Sequence, residues 1–411
     1  MAVSFHRRSI LAAAVVGAMT TPAYAQEAGS ASLTDMFTEG KASFNFRYRY
    51  EFVDQDGFSK DAKASTLRSR LTFASAQYKG LSFLTEFDDV TAIGSDNYNS
   101  TANGNTEYPV VADPEGTEVN QVWAKYASGG ASGTYGRQRI LHGSQRFIGG
   151  VAWRQNEQTY DGFRAMYKND ALTLDYAYVY NINRLFGPDD GPVQPANHHG
   201  ENHFARGDWK IGDGHTLTGF YYGIDIDFDE DYAAGKTVGN SSDTYGVEYA
   251  GSFGPVGLKA AWATQSDAGD SPLDYDADYY MVEGAFGFSG LKATAGYEVL
   301  GGDNGVGFKT PYATLHKFQG WADLFLITPG DGIEDIYVSL AGKIGPVKVA
   351  GTYHDFSAED SSADYGSEID LVGTYVLNKN WNFQLKYASF SSDSDAYADT
   401  DKVWMTVNFK I

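Results

Sequence analysis

From Ser43 to Glu51 the side chains alternate without a slip, with Phe44, Phe46, Tyr48, Tyr50 and Phe52 on one face and Asn45, Arg47, Arg49 and Glu51 on the other. A two-residue period of this kind is the mark of a β-strand. The beat returns in Leu172, Leu174, Tyr176, Tyr178, Tyr180 and Ile182, opposite Thr173, Asp175, Asn181 and Asn183. It returns again in Thr218, Phe220, Tyr222, Ile224, Ile226 and Phe228, and in Val403, Met405, Val407, Phe409 and Ile411 opposite Lys402, Thr406, Asn408 and Lys410. Helical period is nowhere dominant. The runs reach about ten residues or more, beyond the five or six usual in a soluble sandwich and long enough to cross a hydrocarbon layer at a tilt.

Connections between the runs give a count. Tight turns fall at Tyr78-Lys79-Gly80, Ala127 to Gly133, Lys168-Asn169-Asp170, Gly212-Asp213-Gly214, Phe253-Gly254-Pro255, Ser289-Gly290, Gly345-Pro346 and Asn378-Lys379-Asn380. They alternate with longer polar pieces near 54–64, 91–116, 140–157, 185–200, 229–241, 266–275, 301–333, 357–366 and 392–400. Eight short and nine long connections make seventeen, hence eighteen strands. An even number returns both ends of a closed barrel to the same side, with short turns toward the periplasm and long loops outside. Closure also removes the unpaired sheet edge that hydrocarbon would penalise. The fold expected is therefore all-β, a closed up-and-down transmembrane antiparallel barrel of about eighteen strands. His316 to Leu326 is strand-like, but it is assigned to a long loop because an extra strand would make the number odd.

The first residues stand apart from this pattern. His6, Arg7 and Arg8 precede an apolar stretch from Ile10 to Met19, and Ala23-Tyr24-Ala25 has the small-x-small form of a signal-peptidase site. Residues 1–25 are expected to be a cleaved signal peptide and 26–411 the barrel. Removing 25 of 411 residues leaves 386, and losing Arg7 and Arg8 takes the formal charge from −22 to −24. The chain has no Cys, which suits export to an oxidising compartment and excludes a disulfide scaffold. With 29 Tyr and 25 Phe it is no disordered acidic chain. The expected address is the outer membrane of a Gram-negative cell.

Aromatic residues crowd the strand ends, among them Phe52, Tyr78, Tyr126, Tyr180, Tyr222, Tyr249, Phe288 and Phe409, as a headgroup girdle requires. The eleven arginines after the leader all lie between Arg47 and Arg206. Arg47, Arg49, Arg68 and Arg70 take the polar parity of the first two strands. Arg137 and Arg164 are expected to reach inward from strands five and six, with Lys125 joining them from strand four. Consecutive strands are neighbours, so these groups would form one basic wall, with Glu86 and Asp88 as counter-charges. Guanidinium suits carboxylate ligands because its planar fork binds them bidentately at any relevant pH.

Val119-Asn120-Gln121-Val122-Trp123-Ala124, Gly136-Arg137-Gln138, Arg146-Phe147-Ile148-Gly149, Val151-Ala152-Trp153-Arg154-Gln155-Asn156 and Thr159-Tyr160-Asp161-Gly162 together resemble the alginate-export-type outer-membrane porins. His316-Lys317-Phe318-Gln319-Gly320-Trp321-Ala322-Asp323 is similar to a second segment of that family. The resemblance implies an eighteen-stranded monomeric barrel that conducts anionic polysaccharide through an arginine-lined pore. Opposed charge rows across such a pore favour anions when arginine or lysine dominates. A weakly selective general porin is the alternative.

The piece from Ile140 to Gln155 is too apolar for a free loop and is expected to fold into the lumen, leaving Arg146 and Arg154 on the pore axis. Gly301 to Ile333 would make a second plug or lid. Acidic loops such as Asp225, Asp227 and Asp229 are weak candidates for structural Ca²⁺, and no other cofactor is expected. His142-Gly143-Ser144 with Asn156 faintly resembles outer-membrane phospholipase, although Gln145 departs from that motif, and no enzyme activity is expected. His198, His199 and His203 carry only a weak zinc reading. The expected partners are outer-membrane lipid and lipopolysaccharide, the barrel assembly machinery, and an anionic saccharide or small anionic solute. No nucleic acid is among them.

Overall fold

Alternation of this length closes the sheet on itself. A computed structural model describes residues 32–192, 194–228 and 237–411, so the leader 1–25 lies outside the described residues. Eighteen strands form the wall. They are β1 Lys41–Gln55, β2 Ala62–Ala74, β3 Leu81–Asn97, β4 Gly116–Ser128, β5 Ala131–Gln138 and β6 Thr159–Lys168. Then come β7 Leu172–Asn183, β8 Asn197–Gly212, β9 His215–Ile224, β10 Ser242–Phe253, β11 Val256–Asp267 and β12 Asp276–Phe288. The last six are β13 Leu291–Leu300, β14 Ile333–Ile344, β15 Val347–Ser357, β16 Asp364–Val376, β17 Trp381–Ser392 and β18 Thr400–Lys410. Each pairs antiparallel with the next, and β1 pairs with β18 from Asn45 opposite Lys410 to Gln55 opposite Thr400. No helix among the described residues is long and apolar enough to cross a membrane.

All eight tight turns and nine long connections fall where the sequence places them. His316 to Leu326 stays out of the wall. It belongs to the segment 301–332, whose regular structure is a two-stranded ribbon, Gly302–Asp303 with Val306–Gly307, and one 3-10 turn at Leu315–Lys317. Outward positions such as Leu71, Phe87, Val122, Tyr126, Val338, Leu385 and Met405 are exposed apolar groups, the surface that faces lipid in a barrel.

Two segments turn inward, 139–158 after β5 and 301–332 after β13. They leave the wall eight strands apart in a ring of eighteen, nearly opposite each other. They meet through a parallel bridge of Ile148 with Tyr312. The Gly149 N–H donates to the Tyr312 carbonyl (2.8 Å) and the Thr314 N–H to that of Gln145 (3.0 Å). Phe147 sits at the centre of the resulting core, its ring 5.0–6.0 Å from those of Phe220, Tyr222, Tyr279 and Phe308. Phe325 fills a second pocket among Phe356, Tyr365, Phe390 and Tyr397. Burying one such ring contributes roughly 1.5–3 kcal/mol.

This interior core corrects one expectation. Tyr222 is not part of the outer girdle: it is buried in the lumen with Phe220, Ile224 and Ile226. The apolar face of β9 points inward because the inward segments, and not lipid, cover it there.

Candidate functional site

Parity brings the side chains of Arg47, Arg49, Arg68 and Arg70 into the lumen, as expected, but the segment 139–158 lies over the first three. Arg47 donates through Nε to the Gln155 side chain (2.8 Å) and through a terminal nitrogen to the Ala152 carbonyl (2.9 Å). Arg49 donates to the Trp153 carbonyl (2.7 Å), with its guanidinium 4.1 Å above the Trp153 ring. Arg68 donates to Asn45 (2.7 Å). All three are at most 1% exposed. Arg47 and Arg49 hold the segment in place by capping its carbonyls, and Arg68 faces its Glu157 carboxylate at 3.6 Å, so the three are anchors and not a pore lining.

Glu157, which the alternation gives no means of finding, is the hub of the next layer. It lies 2.6 Å from Arg70 and 3.6 Å from Arg68, and it pairs with Arg139. Arg70 is also forked onto Asp88. Glu86 accepts from Thr72 (2.6 Å), Asn120 (2.8 Å) and Gln121 (3.1 Å), and it pairs with Arg139. Glu86 and Asp88 are thus both buried against arginine partners. Burial would push the Glu157 carboxyl up, but Arg139, Arg70 and Arg68 together hold it well below the usual carboxylate range.

Arg146 and Arg154 do not reach a pore axis. Arg146 pairs with Glu298 (2.9 Å) and lies 4.7 Å over the Phe318 ring. Arg154 bridges Glu51 (2.9 Å) and Asp323 (3.3 Å). A charge carried into an apolar plug must be matched by a carboxylate, and both are buried with their partners. Arg164 does face inward, forked onto Asp175.

Arg137 is a further correction. It stands directly opposite Val122 on β4 and Asp161 on β6, one step along from Tyr135 opposite Phe163. Val122, Tyr135 and Phe163 are exposed outer-face residues, so Arg137 faces away from the lumen. There it forks onto Asp161 (2.9 and 3.1 Å) and takes the Val119 carbonyl left free where the β3–β4 register shifts.

Lysines supply open positive charge in the lumen. Lys125, Lys168, Lys210, Lys292, Lys343 and Lys348 lie toward the short-turn ends of their strands, at positions that alternate with outward residues. None is within ion-pair distance of a carboxylate among the described residues. Lys343 and Lys348 stand directly opposite each other on β14 and β15, a like-charge pair that a sheet disfavours unless something else is gained. Lys259, largely exposed, pairs with Glu283 (2.8 Å). Of the six inward lysines only Lys125 is expected from the sequence, although the other five share its polar parity beside apolar neighbours.

Deeper in, Lys386 on β17 and His316 from the second inward segment are 2.7 Å apart, and His316 Nδ1 is 2.8 Å from Asp323. Burial holds the His316 imidazole well below its ordinary value. Asp323 is pushed up by burial but brought down further by His316, Lys402 and Arg154.

The remaining candidates do not converge. His142 is turned toward Asp175 (3.3 Å) and Asn156 donates to the Pro114 carbonyl (3.0 Å), so neither side chain serves Ser144. His198 faces inward against the Tyr312 hydroxyl (3.1 Å), whereas His203 meets Tyr176 (2.8 Å) on the outer face. Asp225 and Asp227 are exposed at the rim, and Asp229 lies outside the described residues.

A family model described as alginate export matches residues 40–313. No curated protein matches. Among solved structures, OccAB2 of Acinetobacter baumannii is 13% identical with a TM-score of 0.71, covering 92% of this chain and 99% of its own. OccK3 (OpdO) of Pseudomonas aeruginosa is 14% identical at 0.70, covering 92% and 97%. The outer membrane protein OpdK of the same organism is 12% identical at 0.67, covering 90% and 99%.

Proposed function

The chain belongs to the alginate export family, and on that premise we propose that it is an outer-membrane channel whose lumen favours anionic solutes. Uronate-type oligosaccharides or an alginate-like polysaccharide are the substrate class that matches, since they repeat a carboxylate along a sugar chain. The observation that carries this reading is the set of inward lysines at the short-turn end, without carboxylate partners among the described residues. Positive side chains lining a low-dielectric mouth raise the local concentration of anions and favour their passage. Arg70 and Arg164, each partly open to the lumen, extend the basic wall upward. In this reading Arg47, Arg49, Arg68, Arg146 and Arg154 shape the constriction without touching the solute.

The test is reversal potential in a planar bilayer under a salt gradient. The native channel should favour anions, and Lys343→Gln with Lys348→Gln should move the potential toward cations. Arg137→Gln, on the outer face, should leave it where it was. A uronate oligomer added to the lysine side should lower the current while a neutral oligosaccharide of equal length does not. A potential indifferent to the lysines would end the anion claim. The second reading, a weakly selective general porin, is favoured by the saturated arginine–carboxylate pairs, and it would give a potential near zero.

A further inference from the structure

Most buried cations here have a carboxylate at contact distance, but the nearest polar partner of Lys386 is a histidine. Its Nζ lies 4.0 Å from the ring centre of Trp153, 3.5 Å from that of Trp321 and 5.2 Å from that of Trp404. Trp153 belongs to the first inward segment, Trp321 to the second, Trp404 to β18, and Lys386 itself to β17. One ammonium group therefore touches both inward segments and two strands of the wall. Trp153 also stacks on His316 (4.2 Å, 9°). With its Nδ1 proton directed to Asp323, His316 presents Nε2 as the acceptor for Lys386. The second segment gains a further hold on the wall where the Ala322 N–H donates to Glu368 (2.8 Å).

We infer that Lys386 is the positioning residue of the constriction, a pin that clamps the two inward segments to each other and to the wall through its cation–π contacts. The inference rests on the reading of the lumen as a conducting path. A desolvated ammonium over tryptophan is among the stronger cation–π arrangements. The same atom serves both segments, so losing it releases them together.

Single-channel recording of Lys386→Met tests this, because methionine keeps most of the apolar stem and removes the ammonium together with its contact to His316. Conductance fluctuations should become about thirtyfold more frequent, the factor produced by losing one desolvated cation–π contact. Lys386→Arg should stay quiet, since guanidinium also stacks on indole. The chain has no cysteine, so Gln145→Cys with Thr314→Cys, where the segments already touch, gives an unambiguous lock. Oxidising it in the Lys386→Met background should restore quiet. If Lys386→Met fails to assemble, Trp321→Leu removes the same contact from the segment side.

Hydrogen exchange gives a readout independent of current. Amides of 145–155 and 314–323 should exchange faster in Lys386→Met and return toward native in the locked form. A native chain that carries no current would sink the channel reading and leave the exchange result standing. Unchanged exchange in a folded Lys386→Met barrel would overturn the pin, as would noise that the lock fails to quiet.

Discussion

Glu157 shows how much one side chain carries here. It is the common partner of Arg68, Arg70 and Arg139, and the carboxylate comes from the inward segment while two of its guanidinium partners come from the wall. Glu157→Gln should destabilise the folded protein by about 3 kcal/mol, the scale of a buried charge left without its partner, read as a lower urea midpoint in detergent. The pH dependence has a definite sign. Its carboxyl is held below the ordinary range when folded, so its stabilisation is complete above the unfolded value of about 4.3. It is lost as the pH falls through the folded value. The emission of Trp153, four residues away in the same segment, should therefore change on acidification in the native protein. In Glu157→Gln that acid transition should shrink. Nothing in the alternation pointed to Glu157, because a residue in a predicted connection has no parity to read.

Among the elements, the inward segment 139–158 behaves as a core element more than as a loop. Phe147 is its hydrophobic anchor. Phe147→Ala should cost about 3–5 kcal/mol of local stability through the cavity it leaves, and a larger mean conductance in the bilayer should accompany it. Composition alone made the inward fold legible, since Leu141, Phe147, Ile148 and Val151 are too apolar for a solvated connection. The place of each charge within it was not legible, because Arg146 and Arg154 find their carboxylates on β13 and β1, far away in sequence. Strand β5 teaches the complementary point. Arg137 shares the parity of Tyr135 and so faces outward, and the expectation that it points inward gave its charge more weight than its position. Gly136, with φ of +122° and the Val122 carbonyl only 2.3 Å from where a Cβ would sit, leaves no room for a side chain at that step.

For the whole molecule, charge is divided along the barrel axis. Acidic loops gather at the long-loop end, while Lys125, Lys168, Lys210, Lys292, Lys343 and Lys348 line the other mouth. A channel with fixed charge of opposite sign at its two ends should rectify. The current–voltage curve at low salt should be asymmetric, and replacing Lys292, Lys343 and Lys348 by Gln should make it more symmetric. The asymmetry should fade in 1 M salt, where the Debye length is about 3 Å. A symmetric native curve at low salt would count against this division of charge having any effect on transport.

The sequence by itself determined the wall: strand number, turn positions, parity over most of the strands and the side that carries the long loops. Those properties follow from a period of two, which any local stretch of chain displays. Only the tertiary structure decided what fills the cylinder. Which apolar face turns inward on β9, which arginines are spent on anchoring the inward segments, and which lysines stay open all depend on contacts across the lumen. Such contacts join residues a hundred or more positions apart, and a local alternation contains no record of them.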